Sequence, residues 1–297
     1  MIPVTNNGET AFLPKSGGAV FNTAIACGRL GTKTGFITGL SGDLFGKQLE
    51  QTLAASQVNT DLAMRSAYPT TLAFVELNDG QASYTFYDEN TAGRMLDPAS
   101  LPAIPDEVEA LYFGGISLIS EPGADFYAAL ATQESERRVI IADPNIRISF
   151  ITDEPRYRQR LDKIIAHTDI LKVSDDDLEW IIPGELSLDE KVQKISAMGP
   201  DIVLLTRGSQ GALAYRNGEK VAEAAAQRVE VVDTVGAGDT FNAGVIAKLS
   251  ASGVLNKSAV AQISAEQLTE ALQFGARVAA VTVSRAGANP PWADELR

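Results

Sequence analysis

Residues 231–244 read VVDTVGAGDTFNAG, a strand-like run that gives way to a helix-like one at a knot of glycines, with Asp239 directly behind Gly236-Ala237-Gly238. Upstream, RVEVVD reads as an extended segment. Downstream, Phe241, Val245 and Leu249 recur on one helical face, so GAGDTFNAGVIAKL reads as the start of a helix. The glycines therefore fall at a helix N-terminus, where unpaired N–H groups and the positive end of the helix dipole favour an anion and where a backbone without side chains lets a phosphate come close. Asp239 beside such a site has two readings. It caps or complements the dipole, or it is a general base that takes a proton from a hydroxyl attacking a phosphoryl group. Spacing alone leaves both open.

The common nucleotide motifs do not fit. A Walker A loop needs G-x-x-x-x-G-K-[ST], and Gly46-Lys47 is followed by Gln48 without the partner glycine. A dinucleotide fingerprint needs a glycine three places after Gly238, where Phe241 stands.

Composition narrows the class further. The 297 residues are 45% hydrophobic and 21% charged, as soluble globular chains are. A net charge of −13 opposes any broad contact with a phosphate backbone, which excludes a nucleic-acid role. Cys27 and His167 are the only cysteine and histidine, so one chain can build neither a disulfide framework nor a Cys/His zinc cluster, and the expected compartment is the reducing cytoplasm. The opening MIPVTNNGETAF has neither the basic start nor the apolar stretch of a signal peptide, and nowhere do about 18 apolar residues run together as a membrane span requires.

Strand-like and helix-like segments alternate. Ala19 to Leu30 is a helix with Phe21 and Ile25 on one face, TKTGFITGL a buried strand, and Phe45 to Ser56 a second helix. EALYFGGISLI, RRVIIADPN, TDILKVS and PDIVLLTRG are short β-branched runs, each followed by a turn or helix, which argues for βαβ units around a mostly parallel sheet. TTLAFVEL and ASYTFYDE around Asn78-Asp79-Gly80 instead predict a hairpin, read here as a lid over roughly Leu62 to Glu89.

At this point DTVGAGDTFNAG resembles the C-terminal signature of the ribokinase-like (PfkB) carbohydrate kinase family. Other segments fall in that family's order: SGGAVFNTAIACGRLG followed by GLSGDLFG, then DPNIR, LTRGSQGA and SRAGA, so the resemblance spans roughly Ser16 to Pro291. It implies a Rossmann-like three-layer α/β/α fold with a small β-sheet lid made from residues 1–15 and 62–90, on a core of residues 16–61 and 91–297. It implies that Asp239 is the catalytic base and that the N–H groups of Gly236, Ala237 and Gly238 form an anion hole for the transferring phosphoryl group. Gly17, Gly18 and Asn22 match sugar-binding positions, whose alternative is a tight turn capping the Phe21 helix. Arg147 matches an arginine reaching toward phosphate or substrate, and Asn145 a polar contact beside it. Thr206, Gly208 and Gly211 match the nucleotide loop, and Gly275 and Ala276 would face the adenine; from the residues alone these are a strand-ending turn and helix packing. ATP is the implied co-substrate and Mg2+ the implied ion. Asp177 stands where the family's N-x-x-E has its glutamate and Ser174 where it has asparagine, although an acidic helix start would read the same. Some relatives hold a monovalent cation through carbonyls near positions matching Asp233 and Val235, which leaves no side-chain signature.

Two departures qualify the resemblance. The family opens with a strand and a G-E-x-x-x-D segment whose aspartate binds sugar hydroxyls. MIPV looks like the residues just after it, so the expectation is a native start upstream of Met1, since a central strand missing from a parallel sheet would leave backbone groups unpaired. In the lid, TFYDENTAGRML looks like the fructokinase and ketodeoxygluconate kinase element with Asp88 where an arginine is expected; a carboxylate there would repel an acidic sugar and favour fructose, with Tyr87, Asn90 and Thr91 facing it. The sequence thus points to a sugar kinase for a neutral monosaccharide, fructose first. Ketodeoxygluconate, ribose or a nucleoside are the alternatives within the class, a regulatory binder the alternative outside it. Exposed lid strands would pair two subunits into a homodimer.

Overall fold

The β-branched runs of the sequence become the inner strands of one sheet in the computed structural model of the chain, which describes residues 1–6, 9–78 and 81–296. In chain order, β1 (Ile2–Asn6) and β2 (Glu9–Leu13) precede α1 (Ala19–Arg29). Next come β3 (Thr34–Gly35), β4 (Gly39–Ser41), α2 (Leu44–Ala55), β5 (Val58–Asn59), β6 (Met64–Ser66), β7 (Leu72–Asn78) and β8 (Gln81–Tyr87). The rest runs β9 (Ala110–Gly114), α3 (Gly123–Glu134), β10 (Val139–Asp143), α4 (Glu154–Ile165), β11 (Ile170–Ser174), α5 (Asp175–Ile181), α6 (Leu188–Ser196) and β12 (Ile202–Thr206), then β13 (Ala212–Arg216), β14 (Glu219–Ala224), α7 (Ala237–Ala251) and α8 (Ala265–Val283).

The main sheet has the order β14-β13-β12-β11-β10-β9, in which β9 to β12 are parallel and β13 and β14 antiparallel. Alternation along its strands sends side chains to two separate cores. Ile140, Leu171, Val173, Val203 and Leu205 meet Phe126 and Leu130 of α3, Leu161 and Ile164 of α4, and Leu178, Val192 and Ile195 of α5 and α6. Val139, Ile141, Ile170, Ile202 and Leu204 meet Phe241, Val245 and Leu249 of α7 and Leu268 and Leu272 of α8. Helices thus cover both faces, the three-layer α/β/α architecture that the family resemblance implies, built on the mostly parallel sheet that the alternating pattern predicts.

The hairpin pattern becomes β7 and β8, paired antiparallel from Leu72 opposite Tyr87 to Asn78 opposite Gln81; the anticipated turn residues Asp79 and Gly80 lie outside the described residues. A second hairpin, β1 with β2, lies against it. The Met1 ammonium donates to the Ala73 carbonyl at 2.7 Å and the Val75 N–H donates to the Met1 carbonyl at 3.1 Å. The rings of Phe12, Phe74 and Tyr87 continue the contact edge to face at 5.1 and 5.6 Å. Within 62–90, β6 behaves differently and pairs with β4.

Two local expectations fail. TKTGFITGL is not one strand but two fragments, β3 and β4, because the chain pairs in parallel with β5 first and with β6 next. RVEVVD forms no strand, since no neighbour offers it a ladder. Val231 and Val232 are each 60% exposed, and the Val232 and Asp233 N–H groups both donate to the Val283 carbonyl at the end of α8.

Candidate active site

Gly236 ends the loop before α7 in the left-handed region, φ 80°, and no side chain caps the helix. Asp233 fixes this loop: its carboxylate accepts the Val235 N–H at 2.9 Å and the Gly287 N–H at 2.8 Å, tying it to the SRAGA segment. The Ala237 N–H turns back to the Thr234 carbonyl at 3.3 Å, whereas the N–H groups of Gly238 and Asp239 have no acceptor in the preceding turn. Of the three expected donors, Gly236, Ala237 and Gly238, only Ala237 is engaged within the loop, and the Asp239 N–H adds a further open donor.

Asp239 is 8% exposed. Its Oδ2 accepts the Asn22 side-chain N–H at 2.9 Å, and its main-chain carbonyl accepts the Thr23 hydroxyl at 3.1 Å. Among the described residues its Oδ1 accepts nothing, and it is not enclosed. Burial pushes its pKa up to about 6; the Asn22 hydrogen bond opposes the rise, Asp143 adds to it, and the charges of Lys172 and Arg147 oppose it. A carboxylate with one free oxygen and a pKa just below neutrality suits a general base. Asn22→Ala should accordingly raise that pKa and move the acid limb of the kcat/KM profile to higher pH. Activity near pH 6 should fall about threefold or more relative to activity near pH 9; an unmoved limb would separate Asn22 from the base.

Behind this carboxylate lies a buried polar cluster that the sequence reading missed. Asn242 donates to Asp143 Oδ2 at 2.7 Å and to the Tyr112 hydroxyl at 3.0 Å, and Lys172 donates to the same Asp143 oxygen at 3.1 Å. The available signal was a lysine inside the apolar run ILKV, at a position whose neighbours face a core.

The remaining expected residues divide. Gly17 faces Asn22, a Cβ on it standing 3.8 Å from Asn22 Oδ1, and Gly18 caps α1, as the turn-and-cap reading of the pair requires. Arg147 is exposed, with Nη1 on the Ile146 carbonyl at 2.9 Å, and its charge acts on Asp239; Asn145 takes a left-handed conformation two residues earlier. Thr206 ends β12, and Gly208 and Gly211 bound a single 3-10 turn closed by the Arg207 N–H on the Gly211 carbonyl at 2.8 Å. Gly275 is buried at the crossing of α7 and α8, where a Cβ would meet the Phe241 carbonyl at 2.9 Å, so its smallness lets the two helices approach. Ala276 beside it is half-buried.

The hairpin residues also need correction. Tyr87 and Asn90 are exposed, but Thr91 is buried. Its hydroxyl is engaged by Asp88 and Thr71 and is not offered to a ligand. Asp88 turns its carboxylate into this cluster. Oδ1 accepts Thr71 at 2.7 Å and Thr91 at 3.0 Å, Arg94 stands 3.9 Å from Oδ2, and the effect on acidic sugars expected of Asp88 loses its geometric basis.

Asp177 is the N3 carboxylate of a capping box. Oδ2 accepts the Ser174 N–H at 3.2 Å and its hydroxyl at 2.7 Å, and Oδ1 accepts the Ile146 N–H at 2.8 Å. Three of about four acceptor positions are used, so Asp177 fits an ion-bound water rather than direct coordination. Among the described residues no cluster of three His, Cys, Asp or Glu could hold a metal alone, and no helix is long and apolar enough to cross a membrane.

Comparison with known proteins matches the family described as pfkB family carbohydrate kinase over residues 4–295. The chain is 46% identical over 265 residues to a fructokinase of Rhizobium leguminosarum bv. trifolii, covering 89% of this chain and 80% of that protein. Its structure resembles fructokinase from Xylella fastidiosa with bound ATP, with a TM-score of 0.88 and 25% identity over 100% of this chain and 94% of that one. It also resembles fructokinase from Vibrio cholerae O395 bound to fructose, ADP and calcium, with a TM-score of 0.80 and 25% identity over 97% and 90% of the two chains.

Proposed function

The chain belongs to the pfkB family of carbohydrate kinases, and from that premise we propose that it transfers the γ-phosphoryl group of MgATP to a hydroxyl of fructose. The observation that carries this reading is Asp239, buried beside an uncapped helix N-terminus with one free oxygen. Asp239 takes the proton of the sugar hydroxyl; that oxygen forms its bond to the γ-phosphorus as the bond to the bridging oxygen breaks, whose electron pair leaves with ADP. The Gly238 and Asp239 N–H groups receive the charge on the phosphoryl oxygens. Asn22 orients the base, and Arg147 adds positive charge at the mouth of the site. Asp177 would hold magnesium through a water, and the ion supplies charge neutralisation on the phosphates. Thr206, Gly208 and Gly211 are assigned to the nucleotide, Gly17, Gly18, Tyr87 and Asn90 to the sugar.

The paired hairpins act as the lid that excludes water from the sugar. Their exposed Ile2, Val4, Phe12 and Leu13 are where a second copy would dock, and the cytoplasm is the assigned compartment. Fructose is favoured by the relatives, a fructokinase in Rhizobium leguminosarum and a fructose-bound fructokinase in Vibrio cholerae. The test is ADP release by the purified chain with fructose, ribose, ketodeoxygluconate or adenosine, with the product identified by mass. Fructose-dependent turnover is the expected result. Turnover with a different acceptor overturns the sugar assignment, and tight ATP binding with no turnover on any of them returns the molecule to the binding-protein class.

A further inference from the structure

Lys172 occupies the middle of β11 between Leu171 and Val173, both fully buried, and is itself 6% exposed. A charge in such a place requires a partner, and Asp143 at the end of β10 provides one at 3.1 Å. The pairing is lopsided. Asp143 is 1% exposed, and its Oδ2 receives both Lys172 and Asn242 while its Oδ1 is buried with no hydrogen-bond partner. A buried carboxylate oxygen left without a partner calls for an explanation. The other side of the ammonium is what it faces instead: a Cβ on Gly238 would stand 3.5 Å from Lys172 Nζ, so the charge lies directly beneath the first turn of α7.

We propose that Lys172 is a positioning charge for phosphoryl transfer, a fixed cation behind the Gly238 and Asp239 N–H groups that strengthens the anion site they form and that Asp143 and Asn242 hold in place. The inference rests on the kinase reading of that site and goes beyond it, because neither the glycine motif nor any segment of the family resemblance includes Lys172. Together, Lys172 and Asp143 form a neutral but oriented pair whose positive end is at the helix N-terminus. In a site shielded from water, an oriented charge at this depth acts on a developing negative charge without having to reorganise. The same ammonium helps keep Asp239 ionised, whereas Asp143 works against it, so the order in which the two stand relative to Gly238 matters.

The test compares Lys172→Met with the double variant Lys172→Met/Asp143→Asn, which removes both charges of the buried pair. Lys172→Met should lower kcat roughly 10- to 100-fold, leave the KM for sugar within about twofold, and weaken binding of ADP with aluminium fluoride by a similar factor while ADP alone binds as before. The double variant should regain the melting temperature lost by the single one and stay slow. If Lys172 only neutralises Asp143, the double variant recovers wild-type kcat, and that result overturns the proposal; so does a wild-type kcat in Lys172→Met. Should the single variant fail to fold, the double variant carries the comparison alone. A wild-type chain that phosphorylates no acceptor overturns the kinase reading and this inference with it, whereas an active wild type beside a fully active double variant overturns only the role of Lys172.

Discussion

Asp239→Asn should yield a protein that binds MgATP nearly as well as the wild type but turns over roughly 10^2- to 10^4-fold more slowly, since the amide keeps the shape of the side chain and cannot accept the proton. The same variant should be more stable, not less. The carboxyl of Asp239 is raised to about 6 from an ordinary 3.8, mainly by burial, so between those values the folded protein holds a proton that the unfolded chain has released. Stability contributed by this group is therefore greatest in acid and falls as pH rises from about 4 to about 6, after which the cost of the buried charge stays constant. An amide carries no such cost. At pH 8 the variant should gain up to about 3 kcal/mol, from a shift of roughly two units at 1.36 kcal/mol each, and near pH 4 the two proteins should melt together. The wild-type kcat/KM should fall tenfold per unit below pH 6 for the same reason. Turnover unchanged by Asp239→Asn would remove the base from the mechanism, and a variant less stable at pH 8 would show that Asn22 needs the charge more than the fold suffers from it.

What the sequence could disclose depended on whether a residue's role was local. The face made by Phe241, Val245 and Leu249, the β-branched runs that became β9 to β12, and the hairpin of β7 and β8 are written in periods of a few residues, and each took its anticipated place. Asp239 beside its glycines was equally legible, because a helix N-terminus is a local object. Roles set by tertiary neighbours were not. Nothing around Thr91 announces that Thr71 and Asp88, from either side of a hairpin, will consume its hydroxyl. The smallness of Gly275 reads alike for a ligand or a helix, and its packing against α7 depends on where that second helix lies. RVEVVD had the alternation of a strand but no strand to join. Lys172 sits in an apolar run that gives it no local role; its significance needs Asp143 from one strand and Gly238 from a helix that follows far later in the chain.

Gly236→Val should be the most damaging change to the anion site that removes no functional atom. Two costs coincide at this position. The backbone has φ of 80°, where a β-branched side chain is a genuine outlier, and a Cβ would stand 2.6 Å from the Cβ of Ala288, a distance real atoms do not share. Ala288 cannot retreat freely, because the neighbouring Gly287 N–H is held by Asp233, the residue that also fixes the loop on the other side of Gly236. The relief must come from α7, whose first turn carries the Gly238 and Asp239 N–H groups and the base itself. A displacement of about 1 Å there is enough for a loss on the order of 100-fold in kcat, together with a stability loss of roughly 1–3 kcal/mol. Gly253 provides the control at the other end of the same helix: it has φ of 69° and nothing within 4 Å of its would-be Cβ. Gly253→Ala pays the conformational strain alone, so it should lower the melting temperature modestly and leave kcat as it is. If Gly236→Val and Gly253→Ala proved equally active, the position of the α7 N-terminus would not control the reaction, and the backbone donors would have to be sought elsewhere.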